Sequence, residues 1–304
     1  MSPDPGRRYL IIANKTGQLG NRLVVYAHMI GAARERGWTV LNPSFGEYAD
    51  FFAGTRGRLA THGDEPLANP PLLTTTERQA FYRLNRFGYK CARTLHHLPF
   101  GGIGWARARD VLHYDLEELL DRADARGWRW LFTQNYHFRQ HAWCARHAAY
   151  IRRAFTPVEP HCGAGEAAVA HARTRGDVVV GVHIRHGDYR QHLGGRFFYE
   201  LPVYAGLMRQ LAAALAPRRA VFLVCANAKW SEQDFAALAI APGPGHMVAD
   251  LHALSRCDFI MGPPSSFSAW AAFHGRVPYL MLEDPAQPIA PQDFRIQESP
   301  DPKY

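Results

Sequence analysis

The sequence predicts an α/β protein of two domains, residues 1–160 and 161–304, and three observations carry that expectation. The chain has 304 residues, 47% of them hydrophobic, which exceeds one domain of the common size of about 150 residues. Strand-length apolar runs alternate with helical stretches in both halves. Several of those runs open directly into glycine, serine or arginine turns, the edge at which open α/β sheets bind ligands. Eight regular β-α units cannot be counted, which argues against a TIM barrel.

Taken in order, Tyr9 to Ala13 reads as a strand, Gly17, Gly20 and Asn21 as a turn, and Leu23 to Arg36 as a helix. Leu23, Ala27 and Ile30 share one helical face and Gly37 is the expected stop. Trp38 to Leu41 is the next strand. Residues from about Gly54 to Pro99 read as irregular, with Pro66, Pro70 and Pro71 marking an extended loop. Val111 to Ala123 reads as a helix, Arg129 to Thr133 as a strand and Tyr136 to Phe155 as mostly helical. Thr156 to Arg175, with Pro157, Pro160, Gly163 and Gly165 around an Ala-rich helix, is the expected connection between domains.

The second half opens with the strand Val178 to Ile184, followed by a helix over Pro202 to Leu215 and a strand over Ala220 to Cys225. A helix from Ser231, the stretch His246 to Ala249 and a helical turn from Asp250 to Ser255 come next. Asp258 to Met261 is a strand, Ser265 to His274 a helix and Val277 to Leu282 the last strand.

Composition narrows the partners. Thirty-five Lys and Arg stand against 27 Asp and Glu, a formal charge of +8, which favours an anionic ligand. Only Lys15, Lys90, Lys229 and Lys303 are lysines, so no polybasic lysine tract for nucleic acid is present. The five cysteines are odd in number and show no C-x-x-C or zinc spacing, which predicts reduced thiols in a cytoplasmic protein, with Cys225 and Cys257 as small buried residues. No run reaches the roughly 18 apolar residues of a membrane span, and no apolar leader follows the N-terminal charges. Contact with a membrane-borne acceptor is therefore expected to be peripheral.

The segment Asp177 to Tyr189, DVVVGVHIRHGDY, runs an apolar stretch into His183, Arg185, His186 and Asp188. The planar guanidinium of Arg185 suits two phosphate oxygens, or else it pairs with Asp188 at the sheet edge. His183 shares its side of the strand and either bonds a nucleotide or satisfies a backbone group. Asp188 either orients Arg185 or acts as a base; orientation is favoured, because an adjacent arginine lowers a carboxylate's basicity.

The segment PPSSFSAW, Pro263 to Trp270, follows a strand at a helix start. Its amides and the Ser265, Ser266 and Ser268 hydroxyls form either an anion nest or simple N-caps. Asp250 either accepts hydrogen bonds from a base edge or caps a helix. Tyr48, Phe51, Phe52, Phe197, Phe198 and Tyr199 either stack on sugars or fill the core. The turn GQLGN lacks the Walker lysine and the full dinucleotide fingerprint. Neither a P-loop nor a nucleophile elbow is present, against a conventional kinase or phosphatase.

Three segments together, GQLGNRL at Gly17 to Leu23, VHIRHGDY at Val182 to Tyr189 and DLHALSRCDFIMGPPSSFSAW at Asp250 to Trp270, resemble the superfamily of GDP-fucose-dependent fucosyltransferases. The likeness is greatest to the bacterial α-1,2 group. The resemblance implies two Rossmann-like domains facing a central cleft, a GT-B-type glycosyltransferase with its acceptor side in the N-terminal domain. It implies inverting transfer of fucose from GDP-fucose to a glycan hydroxyl, with no cofactor, no metal and no nucleic-acid partner. It also implies Arg185 for the diphosphate, Ser266, Phe267 and Ser268 near it, His183 and Asp250 for guanosine, and Asn21 lining the reaction centre; Ser265 and Gly20 are further candidates for binding the donor. Asp188 joins Arg185 and Asn21 as a catalytic candidate. The sequence departs from relatives at Arg22, where glutamine is common, at His186, where a second arginine is common, and in the Gly262-Pro263-Pro264 approach to the serines.

Overall fold

Short aliphatic strands build two separate five-stranded sheets in the computed structural model, which describes residues 7–56, 60–61, 74–95, 102–108 and 113–301. The chain divides into two compact units with the boundary between Val158 and Glu159.

In the first unit, β1 (Tyr9–Ile12) leads into α1 (Leu19–Arg36) and β2 (Thr39–Leu41). Helix α1 starts four residues earlier than the sequence suggested, so Gly20 and Asn21 lie in its first turn. The reversal is made instead by Gly17 at φ 65°, a conformation that only glycine adopts without strain. At the other end Gly37, also left-handed, donates its N–H to Ala33 and closes the helix as expected. Next come the two-residue strand β3 (Ala60–Thr61) and α2 (Thr75–Leu95).

Helix α2 corrects the reading of Gly54 to Pro99 as irregular; the prolines behind that reading, Pro66, Pro70 and Pro71, lie outside the described residues. Its N-terminus is closed by Thr74 and Glu77, the Glu77 carboxylate accepting from the Thr74 N–H at 2.7 Å and the Thr74 hydroxyl accepting from the Glu77 N–H at 3.2 Å, a capping box. Then follow β4 (Ile103–Arg107), β5 (Tyr114–Asp115), α3 (Leu116–Ala125), β6 (Trp130–Gln134), β7 (Phe138–Arg139), α4 (His141–Arg146) and α5 (Ala148–Ala154). The sheet order is β3-β2-β1-β6-β4, parallel except for the β2–β3 pair.

The second unit starts with α6 (His161–Arg173) and β8 (Val178–Ile184), continues with α7 (Leu201–Leu215), β9 (Ala220–Ala226), β10 (Ala239–Pro242) and α8 (Met247–Leu254), and ends with β11 (Phe259–Gly262), α9 (Ser266–Gly275) and β12 (Tyr279–Met281). All seven residues of β8 are buried, as a strand covered on both faces requires. Val178, Val180, Val182 and Ile184 share a core with Tyr204, Leu207, Met208 and Leu211 of α7. Each such side chain contributes about 1.5–3 kcal/mol by leaving water. The expected helix from Ser231 is a single turn, Glu232–Phe235, because its Ser231–Asp234 capping box is followed by the extended chain into β10.

The second sheet is wholly parallel, in the order β10-β9-β8-β11-β12. The chain winds outward from β8 through β9 to β10, then crosses back to β11 and β12. The order therefore reverses between β8 and β11, the point at which two parallel strands diverge into connections on opposite faces and leave a crevice at their C-terminal ends.

Candidate functional site

Both sequence segments singled out in the second half emerge at that crevice. Arg185 follows the last residue of β8, and Pro263 to Ser265 connect β11 to α9, whose first turn holds Ser266 to Ser268. Two cross-links join them. Tyr189 donates its hydroxyl to the Pro264 carbonyl, and Ser268 Oγ lies 2.6 Å from Nδ1 of His183. Gly262 permits this approach, since a Cβ there would sit 2.8 Å from the His183 carbonyl oxygen.

Arg185 presents Nε to Asp188 Oδ1 at 3.0 Å and Nη2 to Oδ2 at 3.1 Å, a two-pronged fork. Its guanidinium also lies over the Tyr189 ring at 5.3 Å. The Arg185 side chain is 16% exposed and that of Asp188 55%. Both carboxylate oxygens of Asp188 thus accept from Arg185. The ligand and ion-pair readings of Arg185 are compatible, because the pair fixes the direction of the guanidinium.

His183 is 5% exposed and Ser268 fully buried. Burial, and after it the charge of Arg185, holds the His183 pKa down at about 3 from an ordinary 6.5. The imidazole is neutral at physiological pH, and the Ser268 hydroxyl donates to Nδ1 or accepts from it according to which nitrogen carries the ring proton. With Phe267 5.0 Å from its ring, His183 anchors β8 to α9. Ser265 is the N-cap of α9, its Oγ accepting from the Phe267 N–H at 3.2 Å, so its hydroxyl performs the capping role weighed in the sequence. Ser266 and Phe267 are half-buried in the helix's first turn, where the N–H groups lack intrahelical acceptors and the helix dipole favours an anion.

His186 faces differently. A carbonyl can only accept, so its Nε2, 2.8 Å from the Tyr199 oxygen, carries a proton. Its backbone N–H donates to Asn227 Oδ1 at 2.7 Å. Asn227, one residue beyond β9, thereby pins the turn that carries Arg185; no motif in the sequence pointed to it. Phe197 and Tyr199 belong to the core, at 3% and 6% exposure, while Phe198 is half-buried against the His186 ring.

Asp250 lies in the first turn of α8 but is not its cap, a place taken by His246. Its Oδ1 accepts from the Gly245 N–H at 2.8 Å, and burial raises its pKa. The carboxylate thus holds the loop between β10 and α8. In the first unit, Gly20 is buried and Asn21 half-buried in the first turn of α1. An ideal Cβ on Gly17 would lie 2.2 Å from Asn21 Nδ2, so the glycine turn fits closely under that side chain. Buried Arg22 locks the turn by donating to the Gly17 carbonyl at 3.1 Å, with Glu47 as its ion-pair partner. Phe52 is fully buried, whereas Tyr48 and Phe51 are half-buried.

All five cysteines are free, with Cys225 and Cys257 buried. In the second unit Cys162, Glu166 and His252 bring three ligand-type atoms within 4.8 Å of one another. They sit on α6 and α8 rather than at the strand ends, and Arg256 already approaches the same Glu166 oxygen at 3.4 Å.

The whole chain aligns with the structure of an Arabidopsis thaliana FUT1 mutant in complex with GDP, at 15% identity over 78% of that chain and a TM-score of 0.61. The fold is GT-B. NodZ, the α-1,6-fucosyltransferase of Bradyrhizobium, shares this GT-B fold at 15% identity, with 92% of this chain and 97% of that chain covered and a TM-score of 0.54. The apo form of POFUT1 does so at 10% identity, covering 92% and 99% with a TM-score of 0.52. No protein-family model matches the chain, and no curated protein matches it by sequence.

Proposed function

We propose that the protein is a glycosyltransferase that moves fucose from GDP-fucose to a hydroxyl of a glycan acceptor, with inversion at the anomeric carbon and without a metal. One observation carries the reading: Arg185 and the N-terminus of α9 flank the point where the strand order of the second sheet reverses. A diphosphate there meets a fixed guanidinium and a helix dipole together. Solved structures of the same fold are complexes with GDP or GDP-fucose, which supports that donor for this chain.

In the proposed reaction an acceptor hydroxyl attacks the anomeric carbon from the face opposite the nucleoside diphosphate. The bond from that carbon to the phosphate oxygen breaks, the leaving GDP takes the electron pair, and the acceptor's hydroxyl proton passes to water as the new glycosidic bond forms. Arg185 and the first amides of α9 stabilise the charge that grows on that oxygen. Asp188 keeps the guanidinium aimed, and His183, neutral and anchored by Ser268, keeps β8 and α9 in register. Asp250 accepts from the donor edge of guanine. The absence of a D-x-D pair beside an apolar strand in the sequence fits a site in which arginine supplies the positive charge. Transfer to a 2-hydroxyl rests on the resemblance of VHIRHGDY to the α-1,2 group.

The test is incubation with GDP- and UDP-sugars, with and without glycan acceptors, reading nucleoside diphosphate release and the linkage of any product. GDP-fucose turnover with formation of a fucosylated glycan is expected. Binding of GDP with neither transfer nor donor hydrolysis would return the protein to a nucleotide-sugar-binding role, and failure to bind any GDP-sugar would remove the reading altogether.

A further inference from the structure

Helix α2 carries three of the six large hydrophobic side chains exposed among the described residues, Leu84 at 66%, Phe87 at 65% and Leu95 at 44%. With Ala80 and Cys91 they fall at helical spacings of four, three, four and four residues, which places all five in one stripe along the helix. This stripe is not the one facing the core. Arg78, Asn85, Tyr89 and Ala92 are the buried positions, roughly a third of a turn away.

The same helix holds Arg78, Arg83, Arg86, Lys90 and Arg93 against a single acid, Glu77. That difference of five cations and one carboxylate, +4, equals half the chain's net charge of +8. Arg78 is spent inward on Asp50, and Arg86 bonds the neutral Asn14. Arg83 and Lys90 are exposed and form no ion pair among the described residues. Tyr82, Arg83, Arg86, Phe87 and Lys90 line an open groove on the protein surface, so cations and aromatic faces adjoin the apolar stripe.

We infer that α2 docks the protein on an anionic lipid bilayer, with Leu84, Phe87 and Leu95 entering the headgroup boundary and Arg83 and Lys90 meeting lipid phosphates. Charge complementarity selects this occupant. A second copy of the chain would bring two cationic helices together, whereas anionic headgroups neutralise them while the boundary takes up the apolar stripe. Attachment at an interface needs no spanning segment, and no helix among the described residues is long and apolar enough to cross a membrane. The inference goes beyond the transfer reading and does not depend on it.

Flotation of the full chain with phosphatidylcholine vesicles, and with vesicles also containing phosphatidylglycerol, tests it. Recovery on the anionic vesicles alone is expected, diminishing as salt is raised. The pairs Arg83→Gln with Lys90→Gln, and Leu84→Ser with Phe87→Ser, should each lower the bound fraction on the order of tenfold. All four positions are exposed, and unchanged circular dichroism and thermal melting would show that each variant is folded. Equal recovery on neutral vesicles, or indifference to both variant pairs, overturns the inference. So does a dimer in solution that Leu84→Ser with Phe87→Ser dissociates, which would assign the stripe to a second copy.

Discussion

Ser268 Oγ and His183 Nδ1 lie 2.6 Å apart with both side chains buried, so one polar contact joins the strand that leads to Arg185 to the helix whose N-terminus faces the same crevice. Ser268→Ala removes the contact and leaves a buried imidazole nitrogen without its partner. The expected cost is about 1–3 kcal/mol in urea unfolding, together with weaker GDP binding because α9 loses its tie to β8. Unchanged values of both would mean that the hydrogen bond does not organise the site.

The depressed pKa of His183 makes stability depend on pH in a definite direction. Unfolded chains protonate this histidine near 6.5, whereas the folded chain does so only near 3, and between those values the unfolded state binds more protons. Stability therefore rises with pH across that window and falls on acidification, by up to about 1.4 kcal/mol per pH unit for one such group. His28 in the first unit is also buried with its pKa held low and acts in the same direction. Urea unfolding at pH 7 and pH 5 should show the loss, and His183→Gln should shrink the difference between them. An identical pH dependence in His183→Gln would show that His183 is not responsible.

The proposed reaction gives Arg185 a charge-stabilising role and Asp188 an orienting one. Arg185→Lys keeps a positive charge but loses the planar fork held by Asp188, and a fall in kcat on the order of 100-fold is expected with little change in fold. Asp188→Asn retains one acceptor oxygen for the fork, so a smaller fall is expected and the acidic limb of the pH–rate profile should keep its position. Disappearance of that limb in Asp188→Asn would instead make Asp188 the general base.

Strand β8 was legible because seven consecutive residues able to occupy a doubly covered strand have few other stable destinations, and the boundaries Val178 and Ile184 agree with the structure. The serine turn and α9 were legible for a related reason: an apolar strand followed by Pro263, Pro264 and paired serines has to stop and restart as a helix. Helix α2 was not, since a dense run of arginines and a solvent-facing apolar stripe obscure the period of its buried face. Strand β10 was hidden between Ala236, which ends the turn before it, and the Gly243 to Gly245 loop. Asn227 and the hydrogen bond from Tyr189 to Pro264 depend on strands that are distant in sequence becoming neighbours, which local patterning does not encode.

Asp250 offers a test in which stability and function move in opposite directions. Burial raises its pKa above the ordinary 3.8, so the folded chain binds the extra proton just above that value and the ionised carboxylate costs stability at neutral pH. Asp250→Asn removes the half-buried charge and still offers an oxygen to the Gly245 N–H now bonded to Oδ1. Its unfolding free energy at pH 7 is expected to hold or increase. If the carboxylate accepts from two guanine N–H groups, the amide matches only one of them, and a charge-assisted bond of about 1.5–3 kcal/mol is lost. GDP affinity measured by calorimetry should then drop about tenfold or more, with discrimination against UDP reduced alongside it. A variant that is as stable as the parent and binds GDP equally well would restrict Asp250 to anchoring the loop before α8 and remove it from nucleotide selection.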